Sequence, residues 1–199
     1  MTAFTLHAHE VRRLLSHGSV LVVRPVKPQP VQLDTGLWYW QPPRLPQRAP
    51  EFVWTDALDT PWWIIAIHAG DCPLGAPGTE HWVRETWVYL SPEPEIRMHA
   101  NARLLYRVLY RADGDNPLVF WRSPVTMPRW ASRFDVTVRD VRVLRVWSLQ
   151  YHDNLTQGFY WRDEDGPCQW FMDDWNARHG KQYPYAANPF CWMVLVSRS

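Results

Sequence analysis

Lysine is almost missing from this chain of 199 residues: Lys27 and Lys181 are its only two, and arginine supplies the other cationic side chains. The 21 Lys and Arg are offset by 20 Asp and Glu, for a formal net charge of +1. A chain this close to neutral does not hold DNA or RNA along a long track by counterion release. Its arginines suit planar, bidentate and stacked recognition instead, because a guanidinium is a rigid fork of donors. Glycine is also scarce, nine residues in all, and no GxxxxGKS or GxGxxG pattern occurs, so nucleotide hydrolysis and dinucleotide chemistry are unsupported. Cys72, Cys168 and Cys191 give an odd count without CxxC spacing, which argues against a disulfide framework and a structural zinc site. The eight histidines form no HExxH, and His7 and His9, two apart, are expected to diverge on a helix, so neither a metal nor another cofactor is expected. Ser132 and Ser148 lack a GxSxG setting. No apolar run approaches membrane-spanning length and no signal-peptide pattern opens the sequence, so the expectation is a cytoplasmic protein without a membrane partner.

What is plentiful is tryptophan, 14 residues, and proline, 18 residues. So much proline favours fixed turns and edge segments over long helices. The length fits one domain, 1–199, with a loop or hairpin insertion at 31–61. Ala8, Val11, Leu14 and Leu15 have helical spacing within residues 6–16, and Gly18 sits where a helix C-cap glycine belongs. Val20 to Val23 reads as a strand, and Lys27-Pro28-Gln29-Pro30 as an extended turn. Residues 37–40 and 62–67 read as strands flanking the proline-rich run 41–50, a hairpin with a long tip. Residues 103–111 form another expected strand, followed by a turn at 112–117. Phe134, Val136 and Val138 alternate as in a strand, but Val141 and Val143 lie on the opposite phase, which calls for a bulge or bend near Arg139-Asp140. Residues 170–178 make a second helix, with Phe171, Trp175 and Arg178 on one side and Gly180 closing it. Residues 190–196, apolar on both faces, read as a central closing strand. The sum is an α+β chain, mainly β, with two helices.

The most informative stretch is Gly78-Thr79-Glu80-His81-Trp82-Val83-Arg84-Glu85-Thr86-Trp87. Read as one strand, it sends Trp82, Arg84 and Thr86 to one face and Val83, Glu85 and Trp87 to the other. Whichever face is buried takes a charged group with it, and burial of charge demands a partner. Arg84 and Glu85 face apart and do not pair with each other, so Arg129 or Arg133 is the expected partner of one of them.

That stretch, with residues 18–30, Tyr110-Arg111-Ala112-Asp113-Gly114, Trp121-Arg122-Ser123, Met127-Pro128-Arg129-Trp130-Ala131-Ser132-Arg133 and Asn188-Pro189-Phe190-Cys191-Trp192, occurs in an order that resembles bacteriophage and prophage proteins related to the ASCH domain, within the PUA-like superfamily. The resemblance covers most of the chain outside 31–61 and part of 150–169. It implies a small β-barrel of five or six strands, with helices at its ends and a cleft beside it. Relatives in this superfamily bind RNA or modified bases. Some ASCH members hydrolyse the acetyl amide of a modified cytidine with a Lys, a Thr and a Glu, and nuclease activity is also attributed to the class. Here Gly18-Ser19-Val20-Leu21-Val22-Val23-Arg24 carries neither that lysine nor that threonine. Glu85 matches the family carboxylate, but without its partner it is a poor catalyst for amide cleavage.

The expectation is therefore a binding protein for single-stranded RNA or DNA, or for a modified nucleoside. Trp82, Trp87, Trp121 and Trp130 are candidate stacking surfaces. Glu85, Arg84, Arg129 and Arg133 are the candidate readers of base edges, and Arg24 and Lys27 the candidates for phosphate. No catalytic residue is assigned; Glu85 is the one that would serve if the chain were an enzyme. The remaining alternative is an interaction factor for a host protein, using the tryptophan- and proline-rich insertion.

Overall fold

The computed structural model describes residues 1–32, 37–39, 52–55, 71–90, 107–151, 162–163, 166–167 and 169–199. Within them the protein is α+β and mostly strand, with two α-helices. Its contacts gather into two compact units. One comprises Met1–Val20, Gly78–Val138 and Val196–Ser199, the other Leu21–Pro77 and Arg139–Leu195.

The first unit opens with β1 (Thr2–Thr5), a strand that local periodicity did not signal. It lies parallel to β6 (Glu80–Arg84), matching Thr2 with His81 and Thr5 with Arg84. Its partner is nearly eighty residues away, and four residues carry too little pattern to announce it. Helix α1 (Ala8–His17) follows. It starts two residues later than the spacing suggested, because Leu6 is buried in the core and the Glu10 carboxylate accepts the His7 amide at 2.7 Å. That bond satisfies one of the donors a helix start leaves open. As the cap residue, His7 stands outside the helix, so its ring stacks with His9 at 6.1 Å instead of diverging from it. Gly18 ends the helix at φ 73°, its amide bonded to the Leu14 carbonyl at 2.9 Å. Buried Val11 and Leu14 face the core, and the helix packs on the 3₁₀ turn Arg111–Asp113. A two-stranded ladder joins β7 (Trp87–Leu90) to β8 (Arg107–Tyr110), pairing Trp87 with Tyr110 and Tyr89 with Val108.

Strand β9 (Asp135–Arg145) begins in this unit, antiparallel to β6, with Trp82 opposite Asp135 and Glu80 opposite Thr137. Phe134, Val136 and Val138 are all buried, and burial resumes at Val143 and Leu144. Val143 is buried on the opposite phase as expected, but Val141 is only partly buried and Leu144, on the original phase, is buried as well, so both phases are buried where the strand passes into the second unit. Between the two runs, Asp140 accepts the Val141 amide at 3.0 Å and the Arg142 Nε at 2.8 Å. Strand β12 (Phe190–Arg198) is buried along nearly its whole length on both faces, as its sequence requires. With β2 (Ser19–Pro25) it completes a five-stranded sheet of order β1-β6-β9-β12-β2. Among the described residues the sheets are open, and β1 and β2 are the edges of the largest. The closed barrel implied by the family resemblance is not formed there, since closure needs the two edge strands to pair and β1 and β2 do not hydrogen-bond to each other.

In the second unit, Leu21, Val23, Leu144, Val146, Leu149, Cys191 and Met193 pack with Phe171 and Trp175 of helix α2 (Gln169–His179). Full burial of each large apolar side chain contributes about 1.5–3 kcal/mol, and the Trp175 indole donates to the Tyr183 carbonyl at 2.7 Å, so its polar atom is satisfied too. Gln29 acts as a side-chain rung: its amide donates to the Val26 and Phe190 carbonyls, and its oxygen accepts the Phe190 amide. The strand at 37–40 finds a different partner from the one the sequence suggested. β4 (Leu37–Tyr39) pairs on one side with β3 (Val31–Gln32) and on the other with β5 (Phe52–Thr55). The hairpin thus closes within the insertion, while 62–67 and the run 41–50 lie outside the described residues. A short ladder joins β10 (Arg162–Asp163) to β11 (Gly166–Pro167).

The Gly18 cap is testable. A Cβ there meets nothing within 4 Å, so only the left-handed backbone resists it. Gly18→Ala is expected to cost about 1–2 kcal/mol in urea unfolding, and Gly18→Asn, which tolerates that region, distinctly less; equal losses would show that the φ is not what glycine supplies.

Candidate functional site

The stretch 80–87 does not run as one strand. β6 ends at Arg84 and β7 starts at Trp87 in a different sheet, leaving Glu85 and Thr86 at a bend. There the Glu85 amide donates to the Met127 sulfur at 3.3 Å, a weak acceptor in place of a ladder carbonyl. The bend turns the Glu85 side chain inward, where it is 1% exposed. Arg133 meets it with two parallel bonds, Nε to Oε1 at 2.8 Å and Nη2 to Oε2 at 2.9 Å. Its remaining nitrogen, Nη1, holds both oxygens of Asp113 at 2.8 and 2.9 Å. The guanidinium lies 4.1 Å from the centre of the Tyr110 ring, whose hydroxyl donates to the Ala131 carbonyl. Ser132 donates to the Val83 carbonyl at 2.8 Å, tying the loop before Arg133 to β6. Trp87, Met127 and Ala131 are buried together beneath, with Tyr89, Val108 and Tyr110 around them.

Burial pushes the Glu85 carboxyl above the ordinary carboxylate range, against the hydrogen bonds and charge of Arg133, which pull it back. Both its oxygens are engaged by Arg133 and its side chain is almost wholly buried, so the family carboxylate to which the resemblance matches it is held inside the protein in this structure. Burial also raises Tyr110. Cys72 and Cys191 are free and buried; burial lifts the Cys72 thiol to about 11 and Cys191 likewise upward, which leaves neither a ready nucleophile.

The other predicted residues divide by exposure. Trp82 and Trp87 are buried and cannot stack on a ligand. Each instead carries cations or rings: Arg84 and Arg129 lie 4.8 and 5.9 Å from the Trp82 ring, and Trp130 meets Trp87 edge to face at 6.1 Å. Trp130 is 42% exposed. Arg129 also binds Asp135 at 2.8 Å but keeps half its side chain in solvent. Arg84 makes no ion pair among the described residues, and its buried Nε has no hydrogen-bond partner there. Trp121 donates to Asp115 at 3.0 Å and is partly exposed. Arg24 and Lys27 belong to the second unit. There Arg24 donates to the Val23 carbonyl at 2.9 Å, and the Lys27 amine lies 5.6 Å from the Tyr183 ring.

Sequence reasoning missed Arg122. It is exposed, its guanidinium lies 4.5 Å from the Tyr89 ring and 5.8 Å from Trp87, and it makes no ion pair among the described residues. Its backbone bonds Trp87 in both directions, at 2.8 and 3.4 Å. The signal available was the Trp121-Arg122-Ser123 string, which carries part of the family resemblance and contributes only Trp121 to the expected binding residues. Among the described residues no three His, Cys, Asp or Glu side chains gather as a metal would need.

Because the Glu85 carboxyl is raised in the folded state, its contribution to stability is fully present below the unfolded carboxylate range and is lost as pH rises through the folded value. Arg133→Met removes the counter-charge and extends that decline. The variant is expected to lose about 3–5 kcal/mol at neutral pH and to regain part of it on acidification toward about pH 5, whereas Glu85→Gln/Arg133→Met recovers most of the loss and is flat with pH. Urea unfolding across pH checks this; a single-variant loss below about 1 kcal/mol would mean the pair is not structural.

Compared with protein-family models, with curated proteins and with solved structures, the chain matches none of them.

Proposed function

We propose that this protein binds single-stranded nucleic acid through the first unit, by stacking and arginine contact and without catalysis. The observation that carries the reading is the pairing of half-exposed Trp130 with neighbouring arginines that lie over rings: Arg129 at Trp82 and Arg122 at Tyr89. An exposed indole offers a face to any unpaired base, worth about 1–3 kcal/mol. An arginine held over a ring keeps its donors directed outward at small entropic cost, suited to a phosphate or a base edge. The reading role passes from Glu85 to Arg129 and Arg122, which favours a polymer over a single modified nucleoside as the ligand. An amidohydrolase on a modified nucleoside, or a nuclease, is the weaker alternative, since Glu85, the carboxylate that would serve such an enzyme, is buried and held by Arg133.

On the sequence resemblance alone we propose a PUA-like, ASCH-related origin in a phage or prophage, and with it a cytoplasmic setting, that of the host cell if phage-encoded; the fold agrees at the level of an α+β, mostly strand class. No helix among the described residues is long and apolar enough to cross a membrane. The second reading is a host protein as the target. It is favoured by Trp147 and Trp170, both exposed on the second unit; the side chains of Trp38, Trp40 and Trp54, which would weigh most on that point, lie outside the described ones.

Fluorescence-anisotropy titration with labelled single-stranded RNA and DNA tests the reading. Trp130→Ala is expected to weaken binding by about 5- to 150-fold with little change in melting temperature. Arg122→Gln is expected to make the slope of log affinity against log salt shallower by about 0.7, the value for one phosphate on a single strand. Absence of saturable binding by the wild-type protein to either polymer rules the proposal out.

A further inference from the structure

The segment between Asp115 and Arg122 presents Leu118 and Phe120 to solvent, 87% and 94% exposed. Scattered apolar residues on a surface are ordinary, but a nearly naked phenylalanine beside a nearly naked leucine is not. A slack loop would fold such side chains back. This one is braced. Asp115 receives Arg111 on one oxygen at 2.8 Å and the Trp121 indole on the other at 3.0 Å. The Asn116 side chain accepts the Leu118 amide at 3.0 Å, and its carbonyl accepts the Val119 amide at 3.1 Å. The far end is pinned by the Arg122–Trp87 backbone pair and by the Ser123 hydroxyl, which accepts the Val125 amide.

Resting on the reading above, we infer that this loop is a base-stacking finger: Phe120 covers the face of an unpaired base while Arg122 meets the adjoining phosphate. Three features on the same loop point to that occupant. Arg122 is two residues from Phe120, exposed, and without a carboxylate partner among the described residues. The acids nearby are already engaged, Asp113 by Arg133 and Asp115 by Arg111 and Trp121, so the phosphate contact is not forestalled by a free carboxylate on the loop. The apolar area is also of the right size. An aromatic side chain offers roughly 150–250 Å², which matches one base. A stable protein interface needs about 800 Å² from each partner, more than Phe120, Leu118 and exposed Val125 supply together.

The experiment uses the full chain and a labelled oligouridylate followed by anisotropy, with Phe120→Ala, Phe120→Trp and Trp130→Ala in parallel. Phe120 is almost wholly in solvent, so its replacement is expected to leave the melting temperature unchanged. Phe120→Ala should weaken binding about 5- to 150-fold, Phe120→Trp should retain it, and photocrosslinking of a bromouridine oligomer should map to Phe120 or Trp121. Wild-type binding that falls with Trp130→Ala but not with Phe120→Ala overturns the finger and leaves the broader reading standing. Absence of binding altogether overturns both. Phe120-dependent cosedimentation with phosphatidylserine vesicles, with oligomer binding indifferent to Phe120, overturns the inference in favour of a lipid surface.

Discussion

A carboxylate with 1% of its surface exposed stays charged only if something in the protein replaces the water it has lost, and here that something is one guanidinium. Arg133 gives Glu85 two parallel bonds, gives Asp113 two more, and rests on the Tyr110 ring. Its position is therefore set from three directions at once. The first unit is built around that fact. Strand β6 stops at Arg84 because Glu85 must turn inward, β7 starts in another sheet because the bend has redirected the chain, and the Met127–Ser132 loop is drawn across by its Met127, Ala131 and Ser132 contacts. Apolar residues of similar volume can match or exceed such a pair in stability. What the pair adds is geometry, since two charged forks tolerate little displacement.

That geometry decides which residues face solvent. Arg129 and Trp130 occupy the 3₁₀ turn just before Arg133, so the anchoring of Arg133 holds them at the surface, one over Trp82 and the other against Trp87. Tryptophans that look alike in sequence thus take different tasks. Trp82 and Trp87 are buried supports, and Trp130 is the indole they present.

Much of the frame was readable from periodicity. The Gly18 cap, the alternation of Phe134, Val136 and Val138, the twice-buried β12 and the Phe171–Trp175 face of α2 each follow from spacing within about ten residues, over which the chain's own geometry is the constraint. What could not be read was non-local. The pairing of β1 with β6 joins residues 2–5 to 81–84, and β5 rather than 62–67 completes the insertion hairpin; neither partner is named by any local pattern. At the candidate site, the need of Glu85 for an arginine partner other than Arg84 was legible. Which arginine was not, nor that satisfying Glu85 would withdraw it from any ligand. Arg122 was invisible for the same reason: what marks it is the lack of a carboxylate partner among the described residues, and pairing is a property of the fold.

Near-neutral charge, which excludes a long electrostatic track, also constrains how a binding surface of this kind can work. On the proposed surface Arg129 is matched by Asp135 and Arg122 is not matched by a carboxylate among the described residues, so about one counterion is released, and affinity should fall with salt at a slope near −0.7 for a single strand. A surface limited to that slope must draw most of its affinity from stacking, which salt barely touches. Rigid, partly exposed rings on braced loops are what such a mechanism needs, because a ring already held in place loses little freedom when a base covers it. The ion pairs of Arg133 with Glu85 and Asp113 and of Arg111 with Asp115 fit such a mechanism, since they use charge to hold rings still: Arg133 lies over Tyr110, and Asp115 accepts the Trp121 indole.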